Sequence, residues 1–566
     1  MAVLTSTLRK LRHVASDPVL RRWLVGRATG RWSAMTSFTA HRPPYLSELH
    51  ALSAEPGAVG FSELPYVMPD RHLDLNLAGR IMRIEPGEEG DLFTRDFDDL
   101  ENYLALHRFA WLPLLGEEFD HAWLCSLWRA WRYAHGEPSA EWSWHPYTAS
   151  ERIVNILGYA QRHGLPGPLD DTLDVLGRHG PTVFNKLEYF GDQNTGNHLA
   201  NNGRGLFLGG IALGREDWAD VGGKILLEEA CRIFRPSGIL REGSSHYHLL
   251  LTRSYVECWL AARAAGRAET EALQVIARNA LAVIPELFLP GAFPLIGDIS
   301  PDCPPQHLSG LVNPGIRSGW VGLLSPEDFQ ALNDLMNCPP VGDLRSDGWL
   351  RADFHDWSGI WYAAPAGWSP YPGHGHQDCG GFELHHEGEA VFVDPGRGSY
   401  SDTGEAVSAN THNCLTVDGV DPYPVNRPYY DDTFRRDFGG PPPILEHEDN
   451  VVTLFHGGYR RLRGGGDVFR KWVSEPGSID ISDRVEGRGA HLISRNLVTT
   501  LPVEQSDDGV FIRGERCGYR VSGDVRPSLK PQTVWRAYGE GIPAMSVRFD
   551  VNAQLEWSGH IRVEAV

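Results

Sequence analysis

The chain has 566 residues, of which 42% are hydrophobic and 22% charged, and a net charge of −21. That is the composition of a soluble globular protein, too long for one core, because cores stop growing near ~250–300 residues. The acidic balance excludes a broad nucleic-acid footprint, and no run reaches the ~18 apolar residues that would span a membrane.

Residues 1–90 read as an irregular N-terminal region, punctuated by Pro43-Pro44, Pro56-Gly57 and Pro86-Gly87. Arg and Lys recur through residues 1–32 without an uninterrupted apolar segment, so a cytoplasmic location is expected, or a periplasmic one if a leader has been trimmed. Residues 91–340 carry helical periodicity, with apolar positions three and four apart in 103–115, 152–160, 223–234, 247–266 and 270–288. Short breaks between these runs predict antiparallel helices in a bundle or toroid. After Cys338-Pro339-Pro340-Val341-Gly342 the pattern changes. Residues 341–566 alternate in short runs, 390–394, 450–458, 477–485, 491–500 and 544–551, as antiparallel strands do. The eight cysteines contain no Cys-x-x-Cys pair, which speaks against a disulfide framework or a thiolate zinc site.

Three clusters in the helical half are candidates for chemistry. Trp142-Ser143-Trp144-His145-Pro146-Tyr147 leads into Arg152 and Asn155, and its tryptophans suit either sugar stacking or a core. Gln193-Asn194-Thr195-Gly196-Asn197-His198 stands at a helix entry, where two amides and an imidazole can face a cleft or serve as caps. Arg241-Glu242-Gly243-Ser244-Ser245-His246-Tyr247-His248 also precedes a long helix; its plainer reading is an Arg241–Glu242 ion pair and a packed tyrosine.

In the sheet half, His374-Gly375-His376 places two imidazoles at i and i+2, on one face if the segment is a strand. Asp394 and His412 follow at intervals suited to neighbouring strands. Imidazoles plus a carboxylate suit Zn²⁺; a polar core of hydrogen-bonded histidines is the alternative.

Taken in order, Asn197-His198, Arg241 through Tyr247, His374-Gly375-His376-Gln377-Asp378, Val393-Asp394-Pro395-Gly396 and His412-Asn413 resemble the heparinase II/III-like polysaccharide lyases, which include heparin and oligoalginate lyases. The resemblance covers roughly residues 90 to 500. It implies an α+β multidomain fold, an incomplete (α/α) toroid followed by an antiparallel β-sandwich-like domain, with the cleft between them. It implies Asn197, His198, Tyr247 and His374 as catalytic residues. It implies one structural zinc per chain on His376, Asp394 and His412. Trp144, Arg152, Gln193, Asn194 and Arg241 are the accompanying candidates for substrate binding. Tyr400 is a candidate for the family's sheet-domain tyrosine.

The expected substrate is an acidic poly- or oligosaccharide, such as one of exopolysaccharide metabolism. A uronate lyase must blunt the carboxylate charge before the C5 proton becomes removable; Asn197, His198 and His374 can donate there. Tyr247 can serve as base and acid on one face, or His198 as base and Tyr247 as acid on opposite faces. A glycoside hydrolase using two of Glu188, Asp192 and Glu242 is one alternative. A zinc hydrolase and a non-catalytic carbohydrate-binding protein of exopolysaccharide assembly are others.

Overall fold

Helices form where the periodic runs meet a good entry residue. Asp99 caps Leu100–Arg108 through the Glu101 N–H, and Asp120 caps His121–His135 through Ala122. Pro146 opens Pro146–His163, where a missing N–H costs nothing. Ser244 caps Ser245–Ala265 by accepting from the Tyr247 N–H, and Gly266, at φ 63°, ends it. The computed structural model describes residues 14–15, 17–32, 39–48, 51–55, 57, 59–116, 119–339, 342–401, 404–506 and 508–566. Pro56, the Pro340-Val341 pair and most of the basic N-terminus lie outside them.

The helices stack as successive antiparallel pairs, forming the toroid. Asn197–Ala212 and Glu216–Ile233 approach backbone to backbone: a Cβ on Gly222 would sit 2.3 Å from the Phe207 nitrogen, and one on Gly210 2.5 Å from that of Ala219. Their inner faces join a core containing Trp111, Trp123, Trp128, Trp131 and Trp144. Among the described residues no helix is long and apolar enough to cross a membrane.

The sheet half holds a four-stranded antiparallel sheet, Trp349–Phe354, Trp357–Tyr362, Gly381–His386 and Glu389–Phe392, and a larger antiparallel sheet. Their shared core includes Trp357, Trp361, Phe382, Trp472 and Val547. The fold is therefore the α+β arrangement expected, an incomplete toroid followed by a β-sandwich-like domain. Two details differ. The runs 477–485 and 491–500 belong to one strand, Ser478–Thr499; the glycines at 487 and 489 make a bulge in its pairing with Glu540–Ala565 rather than a break. The first ninety residues are not a unit of their own. Leu46, Leu75 and Leu77 join the helical core, while Trp23 and Trp32, from the helix Pro18–Ala28 and its exit, join the sheet core.

The two halves are stitched by backbone. Asp298 N–H donates to the His374 carbonyl at 2.9 Å and Ile299 N–H to that of Arg397 at 2.8 Å. Gly297 makes this approach possible: it sits at φ 83°, and a Cβ there would lie 2.7 Å from the Gly243 carbonyl oxygen and 2.8 Å from that of His374.

Candidate active site

Asn197 and His198 open their helix, so their side chains project from its first turn. The Asn197 backbone N–H donates to Glu242 Oε1 at 2.8 Å. Its side-chain carboxamide makes no hydrogen bond to a described residue, and the residue as a whole is 7% exposed. His198 is 51% exposed, yet its Nδ1 lies 2.7 Å from Oε1 of buried Glu188. One turn along, Asn202 donates to the other oxygen of Glu188 at 3.1 Å and accepts from its backbone N–H. Desolvation opposes the imidazolium of His198, but Glu188 outweighs it and raises the pKa above the ordinary histidine value.

Tyr247 packs face to face on His374, with centroids 3.6 Å apart and planes 6° apart. Its hydroxyl meets that of Tyr400 at 2.9 Å, which brings the sheet-domain tyrosine to the site. Burial first, then Asp302, push the Tyr247 pKa well above the usual tyrosine value, so its resting hydroxyl is a proton donor. Asp302 accepts from Arg108 and from the Tyr147 hydroxyl, both at 2.6 Å, and the Tyr147 ring lies 4.7 Å from that of His198. The helical and sheet-derived groups thus form one continuous wall.

His374 and His376 do not lie on a strand. They occupy an irregular segment before Gly381–His386, and Asp298 gathers them: its Oδ2 is 3.0 Å from His374 Nδ1 and its Oδ1 3.0 Å from His376 Nε2. The second nitrogen of His374 faces Glu242 Oε2 at 3.5 Å. Asp298 and Glu188 are the residues that sequence reasoning underweighted. Each is a lone carboxylate in an unremarkable loop, and only the fold shows which imidazole it meets.

His376, Asp394 and His412 are buried, and one ligand atom from each lies within 4.8 Å of the others. His376 Nδ1 is 3.1 Å from His412 Nε2, and His412 Nδ1 is 2.7 Å from Asp394 Oδ2. Asp378, two residues past His376, is buried with neither carboxylate oxygen hydrogen-bonded. Two imidazoles and a carboxylate around a bare buried acid fit a divalent cation.

Several expected contacts fall elsewhere. Trp144 is fully buried and donates to the His135 carbonyl at 2.6 Å, so it is core rather than a sugar platform. Arg152 is also fully buried, donating to His179, His107 and Ser143 beneath the Trp131 and Trp144 rings, out of reach of a substrate. Arg241 makes no ion pair with Glu242; its guanidinium donates to the carbonyls of Gln193 and Thr195, bracing the loop before Asn197. Gln193 is exposed, and Asn194 bonds back to the Phe190 carbonyl at 3.3 Å. His246 and His248 are buried acceptors for the backbone N–H groups of Ser300 and Leu240.

Residues 339–537 match the family description "Heparinase II/III-like, C-terminal". Among solved structures, the chain is similar to a heparinase III at 18% identity and TM-score 0.58, covering 83% of this chain and 78% of that one. A second heparinase III structure aligns at 16% identity and TM-score 0.56, over 97% and 91%. A mutant of heparan sulfate lyase HepC from Pedobacter heparinus aligns at 15% and TM-score 0.52, over 83% and 78%. No curated protein matches the sequence. The resemblance carried by the motifs is therefore borne out: the chain has the fold of the heparinase III structures, and residues 339–537 match the Heparinase II/III-like C-terminal family.

Proposed function

We propose that this protein is a polysaccharide lyase that cleaves a uronic-acid-containing poly- or oligosaccharide by β-elimination. The observation that carries this reading is the convergence of an exposed, Glu188-backed His198, an unpartnered Asn197 carboxamide and a protonated Tyr247 on one wall. Those are the three groups an elimination needs. Asn197 stabilises the charge that gathers on the substrate carboxylate as C5 loses its proton. His198 donates its Nδ1 hydrogen to Glu188, so Nε2 is left as the base that takes that proton. Tyr247 gives its hydroxyl proton to the departing O4, and Tyr400 stands beside it to share the charge.

His374 supports this arrangement by stacking on the Tyr247 ring while Asp298 fixes the imidazole through Nδ1. The cation at His376, Asp394 and His412 is read as zinc with a structural role; bound there, it would neutralise the buried carboxylates and fix the segment that carries His374. A hydrolase finds less support. Glu188 and Glu242 are buried and hydrogen-bonded to His198 and the Asn197 N–H, and Asp192 bonds Tyr189 and Arg232 on the outside, so these three do not form the facing carboxylate pair a hydrolase needs.

The test is incubation with a panel of uronate polymers and oligomers while following absorbance of the new C4–C5 double bond. Unsaturated ends that vanish in Tyr247→Phe, with folding unchanged, are the expected result. New reducing ends without the chromophore would overturn the reading in favour of hydrolysis.

A further inference from the structure

Two tryptophans two residues apart have opposite fates. Trp144 is sealed in the toroid core, while Trp142, on the same 3₁₀ turn Trp142–Trp144, is 50% exposed. A large ring that is half in water after folding is an incomplete burial, and its surroundings tie it to the catalytic wall. The Trp142 ring leans on His145, with centroids 5.0 Å apart at 35°. His145 Nε2 lies 3.6 Å from Glu188 Oε1, the same oxygen that holds His198 at 2.7 Å. Trp142, His145 and His198 therefore follow one another along an accessible edge, with Glu188 beneath them.

The edge also carries a cation. Lys186 is exposed and donates to the Ser139 carbonyl at 2.7 Å. Burial first, and then neighbouring positive charges that include Lys186, depress the His145 pKa despite Glu188. Ser139 stands three residues before Trp142, so the ammonium held on its carbonyl lies beside the Trp142–Trp144 turn, on a chain whose net charge is −21.

We propose that Trp142 and Lys186 form a second sugar subsite, in which the pyranose next to the one held at His198 lays its apolar face on the indole and turns an anionic group toward the ammonium. This rests on the lyase reading and deepens it by assigning where the substrate is gripped away from the bond that breaks. An indole can cover apolar sugar C–H groups while its edge remains wet. The cation supplies the charge preference that the acidic body otherwise opposes. Such binding acts on ground state and transition state alike, so it lowers KM and leaves kcat alone.

The experiment compares wild type, Trp142→Ala, Trp142→Phe and Lys186→Gln on uronate oligomers of increasing length. Removing the ring should raise KM about tenfold, ~1.4 kcal/mol, on oligomers long enough to reach it, with kcat within about twofold. Trp142→Phe should fall between, and thermal unfolding should be unchanged in both. Lys186→Gln should raise KM on the same oligomers and flatten its salt dependence. KM values equal to wild type at every length in Trp142→Ala would overturn the subsite while leaving the lyase reading intact. Should the wild type form no unsaturated ends, the lyase reading falls. The subsite is then judged by calorimetric titration of the same oligomers, where equally tight binding by Trp142→Ala would overturn it and about tenfold weaker binding would uphold it.

Discussion

Glu188 holds His198 as a buried carboxylate holds a surface imidazole: Oε1 is 2.7 Å from Nδ1, and the other oxygen is pinned by Asn202 one helical turn further on. The tautomer that results keeps the hydrogen on Nδ1 and directs Nε2 outward. This pairing lets His198 accept a proton without turning and stabilises the imidazolium that forms. In the proposed elimination, buried Glu188 acts through His198 as a positioning residue.

Glu188→Gln should therefore separate position from charge. The neutral amide can still meet Nδ1 but cannot raise the His198 pKa, so that pKa falls. The base is active when neutral, and the acidic limb of the kcat–pH profile should move to lower pH. The plateau should drop by about 10²-fold, the lower end of what a positioned acid or base contributes. An unshifted acidic limb in this variant would mean that another group is the base.

Tyr400→Phe probes the proton donor. Its hydroxyl is 2.9 Å from that of Tyr247, and it is the group best placed to stabilise a developing tyrosinate. The variant should lose roughly tenfold in kcat, about the ~1–1.5 kcal/mol of one hydrogen bond, with KM unchanged. Tyr247→Phe should cost far more, about 10²–10⁴-fold. Steady-state elimination assays distinguish the two; equal losses would place Tyr400, not Tyr247, nearest the leaving oxygen.

Asp298 joins the His376–Asp394–His412 cluster proposed to hold zinc to the proposed catalytic wall through its two carboxylate oxygens. One oxygen meets His376 and the other His374. Asp298→Ala should weaken zinc binding about 10–100-fold, as loss of a carboxylate behind a ligand histidine does, and also release the His374 ring from Tyr247. Zinc competition with a chromophoric chelator reads the first effect and kcat the second. His376→Ala and Asp394→Ala should abolish stoichiometric zinc outright, and wild-type protein purified without zinc would refute the metal assignment.

The order of the motifs and the change from period three-to-four to period two were enough to read the helix-then-sheet fold from residues alone. The catalytic candidates Asn197, His198, Tyr247 and His374 came from the order of motifs that carries the resemblance, with Tyr400 as the candidate sheet-domain tyrosine, and the fold brings Tyr247, His374 and Tyr400 into contact. What the chain could not reveal is depth. Trp142 and Trp144 look alike in sequence, yet the turn between them sends one to solvent and the other into the core against the Arg152 guanidinium. Asp298 stands 76 residues from His374 along the chain, and no local pattern announces that pairing. The strand expected for His374-Gly375-His376 failed for a related reason: the segment is shaped by its backbone bonds to Glu242 and Asp298 across the domain junction, not by its own alternation.

That junction gives the last prediction. Gly297 sits at φ 83° with two carbonyl oxygens, from Gly243 and His374, within 3 Å of where a Cβ would stand. Gly297→Ala must either strain the backbone, at ~1–3 kcal/mol, or push the His374 segment away, and both oxygens belong to main chain that cannot swing aside. The Asp298 N–H bond to the His374 carbonyl, 2.9 Å long, would open with it. Denaturant unfolding should show a loss of at least ~1–3 kcal/mol, and kcat should fall together with zinc affinity because His374 and His376 move as one segment. Gly315→Ala is the matched control: that glycine also has a positive φ, 81°, but no described residue lies within 4 Å of the added methyl, so it should carry the backbone strain without the losses in kcat and zinc. If the two variants behaved alike, the strained φ alone would account for Gly297, and the close approach to His374 would have no energetic role.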